Sequence, residues 1–158
     1  MPRPTRWFED FHVGEVTIFG DYLMCETEII EFALRYDPQP FHIDAEAAKG
    51  SIFGGLIASG WNTAGVVMRM VVDHMLSPES SLGSPGVDEL RWVKPVRPGD
   101  RLSVRMTVLE TIPSRSKPDR GVIRSLTEAL NGNGDVVMTM RGMTMYRTRP
   151  GYRTRPGS

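Results

Sequence analysis

Hydrophobic and polar positions change period along this chain, and each period predicts an element. Val16 to Cys25 is rich in Val, Ile, Phe and Tyr, the make-up of a strand. Beyond it Ile29, Ile30, Ala33 and Leu34 recur at helical spacing. They predict a short amphipathic helix over 28–36, with Thr27 as N-cap and Glu28 in the first turn. Pro38 pushes Asp37 out of the α region and ends that helix. Pro40 restricts Gln39 in the same way, so YDPQPFHID (36–44) reads as a stiff loop. Asp44 then caps a brief helix through Ala48, closed by Gly50.

Past Gly54, the run GLIASGWNTAGVVMRMVVDHML predicts one long helix over roughly 57–75. Its second half (Val66, Val67, Met68, Met70, Val71, Val72) is apolar around most of its circumference, so a sheet is expected to wrap it. Its methionines read as core filling. From Pro85 onward the period is two. Leu102, Val104, Met106 and Val108 alternate with Arg101, Ser103, Arg105 and Thr107, predicting a half-buried antiparallel strand. Val122 to Leu130 and Asp135 to Arg147 predict a hairpin around NGNG at 131–134. Met138 and Met140 share one parity and Met143 and Met145 the other, so a β-bulge is expected at Gly142 to restore the inward phase. Residues 113–120 read as a polar, mobile loop, and the RTRPG copies at 147–151 and 153–157 as a surface tail. The sum is an α+β, helix-on-sheet domain over 1–147 with an Arg/Pro/Gly tail over 148–158.

Composition narrows the function classes. The 158 residues make one domain, and 40% hydrophobic content suffices for a core, although a single layer leaves a sheet face needing a partner. Nineteen Lys and Arg balance nineteen Asp and Glu, so no net field draws nucleic acid or an anionic membrane. Cys25 is the single cysteine, which excludes an intrachain disulfide and a multi-cysteine zinc cluster; it reads as a buried strand residue. His12 and His74 lack ligand-spaced partners, so no metal is expected. The most apolar stretch, Ala64 to Val72, is interrupted by Arg69 and falls far short of the roughly 18 residues that span a bilayer. The first residues carry no apolar core of signal-peptide type, so a cytoplasmic protein is expected.

Candidate chemistry gathers at Asp37 and His42, five positions apart on a segment that two prolines stiffen. An ionised carboxylate beside a neutral imidazole can take a proton from water and return one elsewhere. The same two residues also fit a cap and a packed ring. Gly54, Gly55 and Gly60 surround the start of the long helix, where bare backbone admits a ligand closely or a neighbouring element tightly. Free N–H groups at a helix start can hold negative charge that develops on a carbonyl oxygen.

The run YDPQPFHIDAEAAKGSIFGGLIASG resembles the active-site signature of MaoC-like dehydratases and (R)-specific enoyl-CoA hydratases. Asp37, Pro40, His42 and Asp44 match that signature, and Gly60 falls on the glycine of the family's His-Gly or Ser-Gly pair. The long helix and RWVKPVRPGDRL extend the resemblance over most of residues 10–147. It implies a hot-dog fold, a homodimer or higher homo-oligomer, and reversible hydration of a trans-2-enoyl thioester of coenzyme A. No cofactor is implied beyond coenzyme A as part of the substrate. By position, Asp37 and His42 hold and activate the water, and the N–H of Gly60 binds the thioester oxygen. Gly55 and Ser59 are expected beside the substrate. Two positions depart from the family pattern: Gln39 replaces the usual Asn, and Met68 stands where some relatives carry a Ser. Lys94, Arg97 and Arg101 carry donors suited to the phosphates of coenzyme A, or else form a solvated strand end at RPGD. Two rival functions share the fold: an acyl-CoA thioesterase, with a carboxylate directing water at the thioester carbonyl, and a non-catalytic acyl-CoA-binding module.

Overall fold

A computed structural model describes residues 2–155. The second RTRPG copy therefore lies partly outside the described residues. Five strands form one antiparallel sheet: β1 (Val16–Leu23), β2 (Val87–Trp92), β3 (Arg101–Pro113), β4 (Arg120–Leu130) and β5 (Val136–Arg147). Their order is β1-β3-β4-β5-β2, which leaves β1 and β2 at the edges. Four helices interrupt the strands: α1 (Glu26–Tyr36), α2 (Pro40–Ile43), α3 (Ala45–Lys49) and α4 (Gly60–His74). The expected α+β architecture is present, with α4 packed over β1 and β3.

The alternating strand is found as read. Leu102, Val104, Met106 and Val108 of β3 turn inward and meet Val66, Val67, Met70 and Val71 of α4 in one core. Gly20 lets β1 approach that helix. It sits at φ +84° inside a bulge where Gly20 and Asp21 oppose Ser103 alone, and a Cβ there would strike the Met70 side chain. The hairpin turn is also as read. The Asn131 side chain accepts from the Asn133 and Asp135 N–H groups, both at 3.0 Å.

Several expectations are corrected. The chain leaves the sheet at Met24, whose N–H and C=O are both bonded within the Gly99–Asp100 turn. Helix α1 therefore starts at Glu26, with Cys25 at its N-cap and Thr27 inside it. The stiff loop contains a helical turn, α2, with Pro40 at its first position, where a missing N–H costs nothing. The long helix begins at Gly60 and not at 57, because Ile57 N–H donates to Phe41 O and Ala58 N–H to Val96 O. Its second half is apolar all round in sequence only: Met68 and Val72 are half-exposed beside Arg69.

The bulge at Gly142 is corrected too. The β4–β5 register runs unbroken past Gly142, and Met138, Met140 and Tyr146 stay on the core side. Met143 and Met145 therefore take the other face. The irregularity lies across the strand pair, in β2, where Val87 faces Gly142 and Glu89 faces Arg141. At the C-terminal end, Thr148 N–H donates to Asp119 O, Thr154 N–H donates to Pro118 O, and Arg149 pairs with Asp10 at 3.1 Å. The expected mobile loop shortens to 114–119 and is bonded to the expected tail.

Candidate active site

The α1 terminus and the α2 turn bring Asp37 and His42 together. Asp37 N–H closes the helix on Ala33 O, and backbone bonds from Gln39 to Asp37 and from His42 to Gln39 fold the segment back. His42 Nε2 comes to 3.3 Å from Asp37 Oδ2. The His42 ring is buried, and its Nδ1 lies 2.8 Å from Ile57 O. A carbonyl only accepts, so Nδ1 carries the proton and Nε2 is the nitrogen turned toward the carboxylate. The extended stretch before α4 thus orients the imidazole.

Asp37 has further partners. The Gln39 side-chain amide donates to Oδ1 at 2.7 Å, so the residue that departs from the family's Asn supplies a carboxylate bond. The buried Ser59 hydroxyl bonds the same carboxylate and also caps α4, accepting from Trp61 N–H at 3.3 Å. Burial by itself pushes the Asp37 carboxyl up, yet the Gln39 and Ser59 bonds and the neighbouring His42 together hold it below its ordinary value. Asp37 is therefore an ionised carboxylate at neutral pH.

His42 opens onto a cavity of about 380 Å³ with largely apolar walls from Phe41, Phe53, Ile57, Trp92, Val96 and Val137. Gly60 lines it too, and its N–H is one of those that a helix cannot satisfy internally. Thus Asp37, His42, Ser59 and Gly60 converge. Asp44 is engaged elsewhere, capping α3 by accepting from Glu46 and Ala47 N–H. Lys94 stands on the cavity rim, paired with Asp135 at 3.1 Å. Arg97 is turned to the Phe53–Gly55 loop: its Nη2 donates to Phe53 O at 2.6 Å, and Nη1 crowds Gly55. Arg101 pairs with Asp21 at 3.0 Å on the β1 edge. Sequence reasoning missed Trp92, Phe41 and Phe53, whose roles depend on where the sheet brings them.

A wider hollow of about 650 Å³ beside α1, lined by Tyr22, Glu28, Phe32, Tyr36 and Asn62, includes neither Asp37 nor His42. On its wall the Tyr22 hydroxyl is spent on the Glu28 carboxylate. Among the described residues, no three His, Cys, Asp or Glu side chains gather to hold a metal ion. No helix among them is long and apolar enough to cross a membrane.

An acid–base pair beside an apolar cavity and a helix start is the equipment for proton transfer at an activated carbonyl compound. Comparison with known proteins fits that class: residues 11–129 match the MaoC like domain, and the chain belongs to this MaoC-like dehydratase family. A crystal structure of a MaoC-like dehydratase from Rhodospirillum rubrum is 40% identical, with a TM-score of 0.86 over 92% of this chain and 99% of that one. The R-hydratase PhaJ1 from Pseudomonas aeruginosa is 25% identical, with a TM-score of 0.73 over 96% and 95%. The 3-hydroxybutyryl-CoA dehydratase of Methylorubrum extorquens is 30% identical over 112 residues, 70% of this chain and 69% of that protein. The fold is accordingly the hot-dog.

Proposed function

We propose that this protein is an enoyl-CoA hydratase, or acyl dehydratase, that adds water reversibly to a trans-2-enoyl-CoA thioester. The observation that carries the reading is the Asp37–His42 pair, 3.3 Å apart, whose His42 lines an apolar cavity together with Gly60. Relatives named as hydratase and dehydratase support the same class. A water held between Asp37 and Nε2 of His42 attacks C3 of the enoyl group. Its proton passes to the pair, electron density moves to the thioester oxygen, and the Gly60 N–H stabilises that oxygen. The pair returns a proton to C2, so atoms and charge balance with no cofactor consumed. Asp37 and His42 act as one unit, and no separate step belongs to either alone.

Two copies complete the fold in this reading. The α4 face through Trp61, Gly65, Met68 and Val72 is exposed, and at its start Trp61 meets Trp92 of the β2 edge, where Val87 and Trp92 are also exposed. An open edge next to an apolar helix stripe is closed by two-fold pairing. A homodimer is expected in sedimentation at micromolar concentration, and a monomer contradicts it.

The site is tested by Asp37→Asn and His42→Ala. Each should lower hydration turnover by at least about 10²-fold with the fold intact, the scale of a general acid–base residue. The double variant should lose much less than the product of the two. Near-full activity in both single variants contradicts the assignment.

A further inference from the structure

The indole of Trp92 comes from β2, a strand that supplies none of the groups proposed above to do chemistry. It lies against Gly60 so closely that a Cβ at position 60 would overlap its Cε2 and Cδ2 atoms. On another side it meets Trp61 edge-on, with ring centroids 5.0 Å apart. It also forms part of the cavity wall, with Val96, Val137 and Phe53. The ring is thus braced by the helix start on one side and by a second indole on another.

This placement has a consequence for substrate size, resting on the hydratase reading. If the thioester oxygen meets the Gly60 N–H and C3 faces His42, the carbons beyond C3 must run through the cavity that Trp92 bounds. An aliphatic side chain there could change rotamer and yield. The indole is a bulkier wall, seated on a bare glycine and touching Trp61 edge-on, with outer faces of both rings left exposed. We propose that Trp92 is the specificity-determining residue that sets the upper limit of acyl length. Up to that limit each added methylene gains apolar contact and tightens binding roughly fourfold. Past it, further carbons find no room.

The test is calorimetric titration with a graded series of saturated acyl-CoAs, butyryl to dodecanoyl, on the intact protein and on Trp92→Ala and Trp92→Phe. Turnover of the matching enoyl-CoAs is measured alongside. In the parent, affinity should climb about fourfold per methylene and then level or fall at one chain length. In Trp92→Ala the climb should continue beyond that length, and the turnover optimum should move to longer chains. Trp92→Phe, which keeps a ring against Gly60, should extend the limit by less and serves as the test if the alanine variant does not fold. Superimposable chain-length profiles for parent and variants overturn the proposal, and the hydratase reading survives if the parent still hydrates enoyl-CoA. A parent that binds no acyl-CoA of any length overturns both.

Discussion

Within α4, the first turn and the later turns bury different chemistry. Ser59, Asn62 and Thr63 are buried and polar, and Gly60 among them has no side chain at all. Val66, Val67, Met70 and Val71 are buried and apolar. The later turns follow the rule for a helix on a sheet, placing an apolar stripe against β1 and β3. The first turn breaks it. The side-chain nitrogen of Asn62 is buried without a hydrogen-bond partner among the described residues, a cost of about 1–3 kcal/mol. A segment shaped by stability alone would shed that cost. One helix thus carries the fold at one end, and at the other turns Gly60 and Thr63 to the cavity beside His42 and Asn62 to the hollow beside α1.

The contrast is sharpest when each end is damaged in turn. Val67 is fully buried, so Val67→Asp should cost several kcal/mol through desolvation and leave little soluble protein. A soluble variant with an unchanged melting temperature would contradict the division. Gly60→Ala at the other end should behave differently. The added Cβ collides with the Trp92 indole, so overpacking should cost about 1–3 kcal/mol, and the shifted N–H at the helix start should lower turnover by about 10²-fold in the molecules that fold. A large loss of stability with normal turnover per folded molecule would place Gly60 with the packing residues.

Ser59→Ala should have the smallest effect on the fold and a specific effect on pH dependence. Loss of the cap costs about 0.5–2 kcal/mol. The Asp37 carboxyl keeps its burial but loses one of the bonds that lower it, so it should rise. The acidic limb of kcat/KM should then move to higher pH. The linked stability has a definite sign. A lowered carboxyl contributes stability at neutral pH, lost as pH falls below the ordinary value of 3.8 toward the lowered one, and Ser59→Ala should reduce that contribution. A pH–rate profile identical to the parent's would show that Ser59 does not act through Asp37.

Where the sequence carried a strong period, the fold was legible from it. The stripe of α4 and the alternation of β3 are written in neighbouring residues, and burial follows them. Boundaries failed where tertiary bonds decided them. Nothing in the neighbourhood of Ile57 announces that Phe41 and Val96 will claim the backbone of the stretch before α4. Parity of the methionines pointed to an irregularity near Gly142, yet counting along one strand could not assign it to β2 across the pair. Asp37 and His42 were legible because prolines and helix ends fix their local geometry. The bonds from Gln39 and Ser59 were not, since Ser59 is far off in sequence and Gln39 first appeared as a mismatch. Strand β2 lacks a clean alternation, being an edge, and Trp92 was hidden with it.

The most direct measurement follows the ultraviolet absorbance of an enoyl-CoA thioester together with a thiol-reactive reporter, after addition of the protein. Hydration at C3 removes the conjugated double bond and leaves the thioester whole. The predicted result is loss of enoyl absorbance with no thiol released, abolished or strongly slowed in Asp37→Asn. Release of free coenzyme A at the rate of substrate loss would make the protein a thioesterase, and unchanged absorbance across a graded enoyl-CoA series would make it a binding module; either result contradicts the account.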